Sequence, residues 1–315
     1  MRMTDSTLFG RVSIIGFGLM GSSLARALRK YHAADEVVAC DPDEHVRTVV
    51  AQLGLADIVT EHPVEAVHGA DLVVLAAPVG ALAALAAAIG PHLVPGTLVT
   101  DVSSVKAAVI RDVLPSLPAG VVFVPGHPVA GTEKSGPEAG FAELFEGRYC
   151  VLTPLDTTPP EAVQRIKALW LRLGSLVEQM APDHHDRAMA MVSHLPHLIA
   201  YTIVATATDL EADRLEEVVR FSAGGFRDFT RIAASDPIMW RDIFLANRDA
   251  VLEMLQRFTE DLTALQRAIR WGEGDALEQV FRRTRTLRRS VIDARQAGTF
   301  RPTEERTTVD PEDQE

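Results

Sequence analysis

The stretch VSIIGFGLMGSSLARAL, residues 12–28, constrains this chain more than any other. Residues 12–15 form a short apolar run that reads as a buried strand. Gly16, Gly18 and Gly21 then make a G-x-G-x-x-G turn, and residues 19–30 continue with helical spacing. Asp41 stands 20 residues past Gly21, at the end of the next strand, in VVACDPD. A G-x-G-x-x-G alone says little. Strand, glycine turn, helix and distant acid together make a dinucleotide-binding unit.

Each glycine has a physical task. Gly16 permits the tight turn, Gly18 lets a pyrophosphate approach the backbone, and Gly21 lets helix and strand pack closely. Leu19 and Met20 open the helix, whose free N–H groups face the phosphates. Asp41 accepts from ribose hydroxyls and repels a 2′-phosphate, and no Arg immediately follows it. The cofactor expected is therefore NAD rather than NADP. In LAAPVGA, residues 75–81, Pro78 ends a later strand at the border of the cofactor and needs no catalytic role.

The apolar pattern alternates between strand and helix up to about residue 180. Strands are expected at 12–15, 36–40, 71–76, 97–102, 121–124, 149–153 and 176–179. Near-continuous apolar strands separated by helices mean a doubly wound parallel sheet. Beyond residue 180 no strand is expected, and residues 181–209, 215–221, 237–268 and 275–294 read as helix. The expected organisation is an α/β nucleotide-binding domain at 10–180, an all-helical substrate and dimerisation domain at 181–297, and a polar, acidic, disordered tail at 298–315.

Composition narrows the function. The net charge is -12 over 315 residues, which argues against nucleic acid or an anionic membrane surface as partner. Two uncharged runs, 72–91 and 188–208, reach membrane-spanning length. The first is broken by Pro78 and Gly80. The second contains His194, Pro196 and His197, and reads as a central helix buried by protein. The two cysteines close apolar runs as thiols of a reducing cytoplasm. The arginines at 282, 283, 285, 288 and 289 read as a solvated face or subunit ion pairs.

Four stretches hold the residues of a hydride-transfer site: TDVSSVK (100–106), GHPVAGTEKSGPEAGFAELFEGR (126–148), HHDRAMAMVSHLPHLIA (184–200) and FSAGGFRDFTRIAASDPIMWRDIF (221–244). With the nucleotide fingerprint they resemble, in order, the prephenate dehydrogenase family of tyrosine biosynthesis, which includes arogenate and cyclohexadienyl dehydrogenases. The resemblance runs from about residue 11 to about residue 295. It implies a Rossmann-type domain followed by helices, and NAD-dependent oxidative decarboxylation of prephenate to 4-hydroxyphenylpyruvate.

The resemblance also implies roles. His127 is the base that takes the C4 hydroxyl proton, held between Gly126 and Pro128. Ser104 hydrogen-bonds near His127 and the substrate; it also reads as an N-cap for a helix from residue 105, with Ser103 as the other choice. Arg231 pairs with a substrate carboxylate. His197 and Gly224 lie on the substrate side, Trp240 is a pocket wall or plain core, and Glu133 and Arg227 stand at the entrance. His194 reads as packing, Pro196 as a kink, and Asp186 and Arg187 as structural. No metal is expected, and the helical half is expected to pair as a homodimer.

Three readings compete. Arogenate, alone or together with prephenate, is the nearest. A 3-hydroxy acid dehydrogenase would place a lysine on the long helix, and residues 181–209 contain none. A non-catalytic nucleotide-sensing scaffold leaves His127, Ser104 and Arg231 without a purpose.

Overall fold

The computed structural model describes residues 7–208 and 224–293. The helix expected at 215–221 and the tail at 298–315 lie outside the described residues. Six parallel strands form the main sheet: β1 (Phe9–Ile15), β2 (Ala34–Cys40), β3 (Ile58–Thr60), β4 (Leu72–Leu75), β5 (Leu98–Asp101) and β6 (Val122–Val124). Their order is β3-β2-β1-β4-β5-β6. The order reverses beside β1, so the glycine turn after β1 sits at the topological switch point, where open parallel sheets bind ligands.

Helices cover both faces of this sheet: α1 (Leu19–Lys30), α2 (Glu44–Gln52), α3 (Pro63–Val67), α4 (Leu82–Ile89) and α5 (Ala107–Val113). Two buried clusters result. One joins Val12, Ile14 and Leu24 to Trp170, and the other joins Ile15, Val73 and Leu82 to Trp240. The second shows that a residue of the helical half completes the core on that face of the sheet.

The remaining strands form a second sheet rather than extending the first. It consists of β7 (Gly126–Pro128), β8 (Tyr149–Leu152) and β9 (Leu176–Gln179), in that order. The Gly-His-Pro segment, which lies beyond the strand expected at 121–124, is thus itself a strand, paired antiparallel so that His127 faces Val151. Helix α6 (Pro160–Arg172) carries the chain from β8 to β9.

Strands give way to helices after Gln179. Among the described residues, the helices of this half are α7 (Pro182–Met189), α8 (Leu195–Thr208), α9 (Gly224–Thr230), α10 (Pro237–Ala246), α11 (Arg248–Trp271) and α12 (Gly274–Asp293). The long helix expected over 237–268 is broken at Asn247, and the expected kink at Pro196 takes a specific form. Residues Ala190–His194 are a π-turn between α7 and α8. Pro196 has no N–H and its ring crowds the carbonyl four residues back, at Val192, inside that turn. A wider turn accommodates both. Pro182–Ala207 is long and apolar enough to cross a membrane by length and composition, and 28% of its most apolar window is buried. Two compact units separate between Val251 and Leu252.

Candidate active site

The nucleotide turn is built as its sequence requires. Gly16 has φ +98°, and a Cβ there would lie 2.6 Å from the Ala76 carbonyl. A Cβ on Gly21 would fall 1.9 Å from the Gly16 oxygen, so α1 packs on the turn with no room for a side chain. At Gly18 a Cβ would meet nothing within 4 Å. The space there is open, which is what a bound pyrophosphate needs. Gly18 caps α1 without a side-chain bond, leaving the first N–H groups of the helix free for an anion.

Asp41 directly follows β2 beside this turn. Its Oδ2 accepts the Phe17 N–H at 2.8 Å and its Oδ1 accepts the Asp43 N–H at 3.0 Å. Each carboxylate oxygen keeps a further lone pair for a ribose hydroxyl. One guanidinium stands nearby: Arg47 donates to the Asp41 and Pro42 carbonyls and pairs with Glu61 at 3.0 Å. Pro78 is exposed, just before the short turn Val79–Ala81. These residues fit a dinucleotide.

His127 is 7% exposed. Its Nδ1 lies 2.8 Å from Nε2 of His185, and Nδ1 of His185 lies 2.8 Å from Oδ1 of Asp186. Asp186 also accepts the main-chain N–H groups of Lys106 at 2.7 Å and Ala107 at 2.9 Å. These are the orphan donors at the start of α5. The cap expected from Ser104 or Ser103 is therefore supplied by a carboxylate from α7. The helix begins at Ala107, two residues later than expected, because the Asp186 oxygens lie where its first N–H groups point.

Beneath His127 is a buried ion pair. Lys106 Nζ contacts Asp101 Oδ2 at 2.5 Å and the Gly126 carbonyl at 2.5 Å, and Asp101 Oδ1 accepts the Gly126 N–H at 3.0 Å. Both side chains have no solvent exposure. The pair clamps β7 to the end of β5 and so fixes the backbone of His127. It also leaves an ammonium near the ring. Burial, then the neighbouring His185, Lys106 and His194, push the His127 imidazole well below the ordinary histidine value.

The helical half closes the site. His197 stacks on Trp240 with centroids 3.6 Å apart and planes at 22°, and its Nδ1 bonds to the Ser193 carbonyl at 2.9 Å. His194 meets the same indole edge-on at 6.0 Å. Asn247, at the break between α10 and α11, brings Nδ2 within 3.1 Å of His194 Nδ1 and donates to the Asp186 carbonyl at 2.9 Å. Arg231 pairs with Glu133 at 2.7 Å and bears electrostatically on His197. A chain of contacts thus runs from His127 through His185, Asp186, Asn247, His194 and Trp240 to His197, and the Arg231–Glu133 pair acts on its far end electrostatically.

Of the residues expected for catalysis and substrate, His127, His197, Trp240, Arg231 and Glu133 take part in these contacts. Ser104 is half-buried between β5 and α5 and makes no side-chain hydrogen bond to His127, whose ring nitrogen bonds to His185 instead. Arg227 is exposed on α9, one turn before Arg231. Gly224 opens α9, exposed, with Asp228 Oδ2 of the same helix 4.0 Å from the position of a Cβ. Sequence reasoning missed His185, Lys106, Asp101 and Asn247, and it read Asp186 as structural. The available signal was His185-Asp186 on one helix and the single lysine of TDVSSVK.

Comparison with known proteins places the chain in a family. Residues 24–179 match the family model for the prephenate dehydrogenase nucleotide-binding domain, and residues 181–283 match the one for its dimerization domain. A cyclohexadienyl dehydrogenase from Zymomonas mobilis is 42% identical over 90% of this chain and 96% of its own. The crystal structure of prephenate dehydrogenase from A. aeolicus with hydroxyphenyl propionate and NAD+ superposes with a TM-score of 0.83. It is 34% identical and covers 90% of this chain and 98% of its own. The Synechocystis arogenate dehydrogenase structure has a TM-score of 0.74 at 26% identity, covering 89% and 99%.

Proposed function

We propose a function on one premise: this chain belongs to the prephenate dehydrogenase family, and is an oxidoreductase. The reaction proposed is oxidative decarboxylation of prephenate to 4-hydroxyphenylpyruvate. NAD, held by the glycine turn, the start of α1 and Asp41, supplies the hydride acceptor when bound.

The observation that carries the reading is His127: a buried imidazole, kept from holding a stable proton by its surroundings, with Nδ1 tied to His185. In the proposed reaction its Nε2 takes the C4 hydroxyl proton as hydride leaves C4, so the C4–O bond becomes a carbonyl. The bond from C1 to the ring carboxylate then breaks. Carbon dioxide leaves, its electron pair restores the aromatic ring, and His127 returns the proton to the C4 oxygen. Arg231, half-exposed, is proposed to hold a substrate carboxylate through a planar, two-pronged contact. His197 and Trp240 form the wall beside it, with Ser104 toward the substrate hydroxyl and Glu133 and Arg227 at the entrance.

Arogenate is the second reading. It replaces the side-chain keto group by an ammonium, and Glu133, whose carboxyl is held below its ordinary value, sits beside Arg231. The helical half is proposed to form a homodimer, with Gly224 approaching the partner's site. NADH formation measured side by side on prephenate and arogenate tests the activity. Turnover on neither would overturn the reading, and the ratio of the two kcat/KM values assigns the substrate.

A further inference from the structure

Resting on the proposed role of His127, the buried chain behind that residue has a direction that can be worked out. Asp186 receives two main-chain N–H groups from the start of α5, and its own carbonyl is held by Asn247. Burial alone would raise its carboxyl, but the His185 ring and those N–H groups outweigh burial and hold it below the ordinary carboxylate value. Asp186 is therefore an anion and can only accept. Nδ1 of His185, 2.8 Å away, must carry a hydrogen.

Burial, against the pull of Asp186, leaves His185 below the ordinary histidine value, so its ring is neutral. A neutral imidazole has one N–H and one lone pair. With the hydrogen on Nδ1, Nε2 of His185 is an acceptor. The atom it faces at 2.8 Å is Nδ1 of His127, which must then be the donor. Nε2 of His127 is left bare. Among the described residues it has no hydrogen-bond partner, and it is not among the fully buried unpaired atoms, as Nε2 of His194 is.

We propose that His185 is a positioning residue: with Asp186 behind it, it holds His127 in the Nδ1–H tautomer that presents a bare Nε2 to the substrate hydroxyl. The charged and titratable groups facing this pair are Asp101 at the end of β5, Lys106 at the start of α5, Cys150 on β8, Asp186 on α7 and His194 on the π-turn. None of the others hydrogen-bonds to either ring, so the direction of the chain is set by Asp186. When His127 takes the substrate proton, His185 Nε2 accepts from the resulting imidazolium and Asp186 faces it one ring further. Protonation of His185 reverses the chain: both its nitrogens then donate, Nδ1 of His127 must accept, and its hydrogen moves to Nε2.

The test combines ring 15N spectra of the full-length protein with kinetics. In the unmodified enzyme the His127 ring should show a protonated Nδ1 and a bare Nε2 at neutral pH. An Nε2–H signal there overturns the proposal without any variant. His185→Leu removes the acceptor, and His127 should lose its Nδ1–H preference. In His185→Leu, kcat should fall by roughly 10²–10⁴-fold, as for a general base turned the wrong way, with the KM for NAD little changed. His185→Gln restores an acceptor to Nδ1, an amide donor to Asp186 and no titration. It should recover kcat to within about tenfold of the unmodified enzyme and lose the tautomer reversal at low pH. If His185→Gln is as slow as His185→Leu while His127 keeps its Nδ1–H, His185 does not act by positioning. Should His127→Asn keep full turnover while the spectra behave as described, the base assignment fails and the chain stands.

Discussion

His127 combines two demands that a surface histidine does not meet. As the proposed base it must be neutral to accept a proton, and it must stay fixed while doing so. Burial and the ammonium of Lys106 meet the first, and the clamp on Gly126 meets the second. Its acid limb in kcat/KM should therefore fall below the ordinary histidine value of about 6.5, since activity is lost when the His127 imidazole protonates or when a proton on His185 moves the His127 hydrogen to Nε2, and burial holds both rings below that value. His127→Asn should lower kcat by roughly 10²–10⁴-fold and remove that limb while NAD still binds. A variant that keeps the wild-type limb would move the base to another residue. Arg231 makes a different kind of claim. Arg231→Ala should reduce substrate affinity by about 1.5–3 kcal/mol, the range for hydrogen bonds to a charged group, with NAD affinity unchanged, and an unaltered KM for prephenate would remove Arg231 from the site. Asp41 should favour NAD, since its carboxylate repels a 2′-phosphate and the nearby Arg47 is already paired with Glu61. A kcat/KM with NADP equal to that with NAD would refute this.

The elements explain how far the sequence could be read. Strand β1, the glycine turn and α1 were legible because apolar period, turn residues and helix spacing change within a dozen positions. His127 was legible as a residue, but its strand was not: three residues, one of them proline, carry no period. The second sheet was hidden for the same reason, since β7 pairs with β8 across more than 20 residues. Helix α5 shows the other limit. Its cap comes from Asp186, about 80 residues downstream, and no local rule points there. That contact yields a prediction at the scale of the helix. Asp186→Ala leaves two N–H groups of α5 and the His185 ring without their acceptor. Each buried unpaired donor costs about 1–3 kcal/mol, so the urea midpoint should fall clearly. A midpoint equal to that of the unmodified protein would show that α5 is capped otherwise.

At the scale of the whole molecule the histidines of this site should govern acid stability. His127, His185, His194 and His197 all sit below the ordinary value, in each case chiefly through burial, and His194 is pushed down to about 4. In the unfolded chain each takes a proton near pH 6.5. Between that pH and the folded value the unfolded state binds more protons, so stability must fall as pH falls. For His194 alone the loss is about 3 kcal/mol by pH 4. Asp186 adds to it only at lower pH, where the unfolded carboxyl protonates first and the folded one follows. The onset of acid unfolding should therefore lie near pH 6.5, in the histidine range, rather than near pH 4, in the carboxylate range. Urea midpoints at fixed protein concentration should decline steadily from pH 7.5 to 5. His194→Asn, which cannot take the proton, should flatten part of that slope. A midpoint constant over this range would mean that these rings protonate as readily folded as unfolded, and that the dry environment assigned to His127 is wrong.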